Sequence, residues 1–224
     1  RFDFENAPIA PNDLFSNKSN LGILLDYNSK TSNRLTRSVN LDTKYQFSLN
    51  TPCFGFIGAG NYASRILIPA FKKVGGQLHT LVSANGINSV THGKKAGFAH
   101  ASTDVEAMLQ HKEVNTVVIA TQHNSHANYV IKSLNANKNV WVEKPLAIDS
   151  ESLMLIEDAY KKAHQRRQDS HLKGGPLLMV GFNRRFSPHI KKMHSLLSSV
   201  NAAKSIIITV NAGFIPKESW VQDP

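Results

Sequence analysis

Gly58, Gly60 and Ala63 stand in the spacing G-x-G-x-x-A directly after the apolar run Cys53-Phe54-Gly55-Phe56-Ile57. A glycine at the first position makes a tight turn. At the second it lets the backbone approach a phosphate, and a small residue at the third lets the following helix pack near the strand. The N–H groups that open the helix, from Asn61 and Tyr62 onward, then face an anion. The chemistry this implies is capture of a dinucleotide pyrophosphate. The same residues also suit an ordinary tight turn, so the motif alone leaves both readings open. Further along, Glu143-Lys144-Pro145 closes another apolar run. A lysine there is a candidate to give or take a proton; the bland reading is a surface lysine before a turn proline.

These groups meet only if the intervening chain forms a parallel sheet. Strand-like runs occupy 54–57, 78–83, 117–120, 139–142 and 177–181, and helical patterns lie between them. Thr103-x-x-Glu106 predicts a capping box before Val105, Met108 and Leu109. Leu153, Ile156, Tyr160 and Ala163 follow a 3.6-residue period behind the potential caps Asp149 and Ser150. Pro69 falls in the first helix, where it should remove a hydrogen bond and bend the axis. Alternating strands and helices give an α/β fold: a Rossmann doubly wound parallel sheet covered on both faces. Ligands of such sheets lie at the carboxyl ends of strands, which is where Gly58 and Lys144 both fall. After Gly181, the residues Ile190, Met193, Leu197 and Val200 mark another amphipathic helix, and 205–210 reads as a strand.

The 224 residues are 41% hydrophobic and 19% charged, which suits a globular core. No apolar run reaches the roughly 18 residues needed to span a bilayer. The lone cysteine, Cys53, reads as a buried core thiol in a reducing compartment, so a cytoplasmic location is expected. The net charge of +10 admits anionic ligands. Its lysines and arginines are scattered in pairs on helix faces, and no zinc-finger or RNA-binding spacing occurs, so neither nucleic acid nor membrane is an expected partner. Nor does His123-x-x-His126 make a metal pair, because no cysteine or carboxylate cluster accompanies it.

From residue 54 to 224 the sequence resembles the family of glucose-fructose oxidoreductase, inositol dehydrogenase and rhizopine-catabolism proteins (Gfo/Idh/MocA). The resemblance rests on Gly58-Ala59-Gly60-Asn61-Tyr62-Ala63, on Val118-Ile119-Ala120-Thr121 followed by His126, on Glu143-Lys144-Pro145 and on Gly181-Phe182-Asn183-Arg184-Arg185-Phe186. Residues 1–28 resemble instead the C-terminal end of a zinc-alcohol-dehydrogenase-like module, and a bi-domain oxidoreductase class joins the two. The resemblance implies a chain organised as a remnant of the preceding module (1–28), a linker (29–50), a Rossmann domain (51–200) and the truncated start of an α/β substrate domain (201–224).

It also implies an oxidoreductase that uses NAD or NADP on a sugar, cyclitol or nucleotide-sugar-like substrate, with Lys144 catalytic. The dinucleotide would be held by Gly58, Gly60, Asn61, Tyr62, Ala63, Ser83, Thr121, His123, His126, Glu143, Lys144 and Arg184. Trp220 and Lys217 would lie near the pocket mouth. A family Asp/His element is expected beyond Pro224, so the piece is expected to be inactive alone and to self-associate through its unfinished second sheet. A non-catalytic dinucleotide-binding module is the alternative. The adenosine end departs from the NAD pattern: Leu81-Val82-Ser83-Ala84-Asn85-Gly86 holds no acidic residue for the ribose hydroxyls. Ser83 and Asn85 are left to bind ribose or tolerate a 2′-phosphate, with Lys94 and Lys95 as possible charge.

Overall fold

Successive side chains of a strand point to opposite faces, and here both faces are apolar. The computed structural model describes residues 1–10, 12, 22–27, 36–42, 46–48, 51–169, 175–211 and 213–219. Near the N-terminus, β1 (Phe2–Asp3) and β2 (Leu25–Asp26) pair in parallel. The main sheet contains β3 (Ser38–Asn40), β4 (Cys53–Ile57), β5 (Gln77–Val82), β6 (His100–Ser102), β7 (Thr116–Ile119), β8 (Asn139–Glu143) and β9 (Leu178–Gly181). Their order is β3-β6-β5-β4-β7-β8-β9. The β3–β6 ladder is antiparallel and the others are parallel. Between the strands run α1 (Ile68–Lys73), α2 (Gly86–Ala96), α3 (Val105–Gln110), α4 (His126–Asn135) and α5 (Ser150–Asp169).

Phe54 and Phe56 of β4 pack on one face with Leu67, Ile68, Phe98 and Val118. Ile57, Val117, Ile119, Val140 and Val142 pack on the other, against Val130 and Leu134 of α4 and Ile156 of α5. Cys53 is buried, and burial, then the Glu113 carboxylate, pushes its thiol up to about 12, so it stays protonated as a core residue. The five strands read from the sequence are β4, β5, β7, β8 and β9. Because β5 and β6 flank β4 on one side while β7, β8 and β9 follow on the other, the chain reverses direction across the sheet between β4 and β7. This is the doubly wound order, and it opens a crevice at the carboxyl ends of those two strands.

Several local expectations change. The run 29–50, read as a linker, contributes an edge strand: β3 pairs with β6, and Leu41 N–H donates to Ala99 O at 2.7 Å. All three β3 residues are exposed, so no buried face imposes a period on them. The cap of α3 is Asp104, whose carboxylate accepts from Ala107 N–H at 3.0 Å, rather than Thr103, whose N–H donates to Arg37 O at 2.8 Å. Asp149 caps α5 through Ser152 N–H at 2.7 Å. Before Pro69 the chain passes through a π-helical turn, Ala63–Leu67, closed by Ile68 N–H donating to Ala63 O, and Pro69 stands in the first turn of α1, where its missing N–H costs least.

The described residues from Phe182 onward group as a second compact unit. That unit holds a 3₁₀ turn, Asn183–Phe186, and α6 (Pro188–Leu197), capped by Ser187. The expected strand at 205–210 does not form among the described residues; Ile206, Ile207, Ile208 and Val210 are exposed. An apolar β-branched run becomes a strand only where a neighbour offers hydrogen bonds. Among the described residues no helix is long and apolar enough to cross a membrane.

One buried titratable group ties the fold to pH. Burial, then the neighbouring His111 and His100, pushes the His79 imidazole down to about 4. Its folded value lies below the roughly 6.5 of an exposed histidine. The unfolded chain therefore takes up a proton that the folded chain refuses, and stability is lost as pH falls from about 6.5 toward 4. The urea midpoint is expected to be lower at about pH 5 than at about pH 7.5. His79→Phe, which keeps an aromatic ring and removes the titrating group, should shrink that difference.

Candidate functional site

The turn after β4 is built by two glycines with different duties. Gly58 has φ +107°, and a Cβ there would sit 2.4 Å from Ala120 O. Its N–H donates to Val82 O at 2.8 Å, while Ala120 N–H donates to Ile57 O at 2.9 Å. Gly58 thus closes β4 against both neighbours. At Gly60, by contrast, a Cβ would meet nothing within 4 Å. The fold does not need a glycine there; the space beside it is open at the carboxyl end of the central strand. Asn61 and Tyr62 follow, exposed and already helical, and Ala63 is buried.

Across the crevice, the segment after β7 folds back on itself. Thr121 Oγ1 lies 2.7 Å from Ser125 Oγ, and Ser125 Oγ donates to Gln122 O at 2.8 Å. His126, at the start of α4, is fully buried. Its Nδ1 is 2.7 Å from Pro145 O and its Nε2 3.1 Å from Thr121 O. One ring therefore joins the loop after β7 to the loop after β8. A neutral imidazole carries one N–H and donates to one of these carbonyls at a time. His126, expected among the dinucleotide-holding residues, is buried between the two loops and contacts a carbonyl of each. Its spacing from Thr121 gave no signal of that contact, because Pro145 comes from another strand end.

The loop after β8 carries Glu143 and Lys144. Glu143 Oε2 accepts from Lys144 N–H at 3.1 Å. Among the described residues, Glu143 Oε1 is the buried side-chain polar atom with no hydrogen-bond partner. The Lys144 side chain is exposed. Its charge reaches His123: burial first, then the Lys144 ammonium, holds that imidazole below its ordinary range. The structure therefore brings Thr121, His123, His126, Glu143 and Lys144 together, at the same end of the sheet as Gly58 and Gly60.

Ser83 follows β5, the neighbour of β4, and its hydroxyl donates to Asn85 O. The Asn85 side chain caps α2 by accepting from Ile87 N–H at 3.0 Å. Lys94 and Lys95 lie in the last turn of α2, roughly 13 Å along the axis from Asn85, too far to supply charge at that turn. Arg184 belongs to the 3₁₀ turn of the second unit, which also holds Lys217; Trp220 lies outside the described residues.

A doubly wound sheet with a glycine turn at its switch point defines a Rossmann dinucleotide-binding fold. The chain belongs to the Gfo/Idh/MocA oxidoreductase family, NAD-binding Rossmann fold, which it matches over residues 53–170. It is 30% identical over 121 residues, 54% of this chain, to Oxidoreductase P35 of Formosa agariphila. It is 29% identical over 140 residues, 58% of this chain, to inositol 2-dehydrogenase 2 of Saccharopolyspora erythraea. The chain spans 38% of the length of each of these relatives. Among solved structures, the 3-ketoreductase KijD10 of Actinomadura kijaniata, in complex with TDP-benzene and NADP, matches with TM-score 0.57 at 21% identity. That match covers 66% of this chain and 44% of KijD10, and it bears on the fold alone.

The buried clamp gives a direct expectation. His126→Phe keeps a ring in the buried site but removes the imidazole N–H that one of the two carbonyls accepts, so it should lower unfolding free energy by about 1–3 kcal/mol. Urea denaturation of the variant against the parent chain measures this.

Proposed function

We propose that this chain is the dinucleotide-binding part of an NAD(P)-dependent oxidoreductase whose substrate is a sugar or polyol. The observation that carries the reading is the pairing of Gly60, whose missing side chain serves no contact in the fold, with Glu143 Oε1, a buried acceptor without a donor. Both features lie at the carboxyl end of the sheet and both suit a ligand. The residues fit a dinucleotide: the open face at Gly60, Asn61 and Tyr62 takes the pyrophosphate against backbone N–H groups. Ser83 takes the adenosine ribose. With no carboxylate in the turn after β5, nothing there repels a 2′-phosphate, so NAD and NADP both fit.

When bound, a nicotinamide dinucleotide supplies transfer of hydride to or from a carbon. The chain's own residues handle the proton. In the oxidising direction the Lys144 amine takes the proton from the substrate hydroxyl as its C–H bond breaks. In the reducing direction the ammonium returns a proton to the carbonyl oxygen. Glu143 Oε1 accepts a hydrogen bond from the bound ligand and so gains the donor it lacks. Thr121 and His123 form the wall opposite Gly60. The names of the relatives support the substrate class: inositol 2-dehydrogenase and, from Ensifer adhaerens, 1,5-anhydro-D-fructose reductase, each matched over part of its length.

Calorimetric titration with NAD and NADP tests the binding half. Gly60→Val should fold normally and bind at least tenfold more weakly, about 1.4 kcal/mol. A folded variant with unchanged affinity removes the ligand role of this turn. Lys144→Ala tests the chemistry in the active protein. It should leave dinucleotide affinity within several-fold and lower turnover by about 100-fold. Near-native turnover would make Lys144 a bystander.

A further inference from the structure

At the other end of the sheet, three metal-ligating side chains converge. His79 is the third residue of β5, His111 follows α3, and Glu113 lies in the turn that leads to β7. One ligand atom from each lies within 4.8 Å of the other two. Glu113 Oε2 is 4.0 Å from His79 Nε2 and 3.7 Å from His111 Nδ1. Both separations are too long for a direct hydrogen bond. They are slightly wider than the spacing of ligands around a four-coordinate ion, about 3.4 Å for bonds of about 2.1 Å.

The groups behind these ligands are also in place. His79 Nδ1 lies 2.7 Å from Thr80 Oγ1. With Nδ1 donating to that hydroxyl, Nε2 turns its lone pair toward Glu113, the arrangement that orients a metal-bound imidazole. Lys138 Nζ donates to His111 O at 2.8 Å and to Val114 O at 2.7 Å, which pins the turn carrying the other two ligands. His100 lies against His79 with ring centres 4.8 Å apart and the rings tilted by 38°, beside the cluster. The His79 side chain is 2% exposed, whereas those of His111 and Glu113 are 47% and 43% exposed. One ligand is buried and two stand at the surface.

We propose that His79, His111 and Glu113 bind a divalent transition-metal ion of the zinc type. Two imidazole nitrogens and one carboxylate oxygen match zinc rather than magnesium or calcium, which prefer all-oxygen sites. The ion ties β5 to the turn between α3 and β7 and stabilises the folded chain by binding it alone. It lies away from the glycine turn, so the site is independent of the proposed dinucleotide chemistry. In the sequence the ligands are hidden, because His79 stands in a different element from the His111-x-Glu113 pair.

The test is titration of chelator-stripped protein with Co²⁺, read by visible absorption, and with Zn²⁺, read by thermal denaturation. The expected result is a set of d–d bands that saturates at one ion per chain, and a rise in Tm with Zn²⁺. His111→Ala and Glu113→Gln, both half-exposed and outside the core, should each bind at least tenfold more weakly. His79→Phe should do the same. Absence of bands and of any Tm shift overturns the proposal. So does binding that survives in the His111→Ala/Glu113→Gln double variant, because other histidines would then hold the ion.

Discussion

The approach of the Gly58 backbone to Ala120 is the constraint on which the crevice depends. A Cβ at Gly58 would lie 2.4 Å from a carbonyl oxygen that cannot move without breaking the end of β7. Because Gly58 carries none, β4 and β7 stay adjacent up to their last residues. The chain then leaves them in opposite directions, one toward α1 and the other toward α4. A sheet whose order reverses at this pair must open there, and the opening sets where a ligand is able to sit. The apolar faces on either side of β4 explain why the strands hold this order. Phe56 and Ile57 are adjacent in sequence yet belong to different cores.

The loops around the crevice are held from below. His126 is buried under them and spans from Thr121 O to Pro145 O. Loops are the least constrained part of an α/β fold, and a site on two of them needs a fixed spacing. A single imidazole with two acceptors supplies it, so displacement of either loop disturbs the other. Glu143 stands out against this order. An acceptor left buried without a donor costs about 1–3 kcal/mol. Elsewhere in these loops, at Thr121, Ser125 and His126, the polar atoms find partners within the chain.

The parts of the fold legible in the sequence are those with a buried face. The five strands with apolar runs and the helix behind Asp149 repeat a period that burial imposes; α6 shows the same period in its sequence without burying any residue among those described. β3 and β6 escaped because their pairing is carried by the backbone: Ser38-Val39-Asn40 shows no buried face and His100-Ala101-Ser102 no apolar run. The run at 205–210 fails for the opposite reason. Its β-branched residues have strand propensity, but a strand needs a partner, and propensity does not supply one. At the site, Gly58 and Lys144 were visible through their place after apolar runs. The clamp by His126 and the unsatisfied oxygen of Glu143 were not: the first is a contact between segments distant in sequence, and the second is the lack of a partner at a buried atom.

This contrast separates what the fold requires from what it leaves over. Gly58, Ala63 and His126 are explained by the chain itself: a close approach, a buried packing position and two carbonyls to hold. Gly60 and Glu143 Oε1 are not. A methyl group at Gly60 would touch nothing, and the Glu143 oxygen would be more stable with a donor or replaced by an apolar group. Residues that break a local rule without a gain in the folded chain are where functional or strained sites are expected, and the proposed dinucleotide would supply the missing partner here. Both sit at the carboxyl end of the sheet, where the reversal of strand order opens the crevice. Topology and local anomaly are independent observations, and they point to one place.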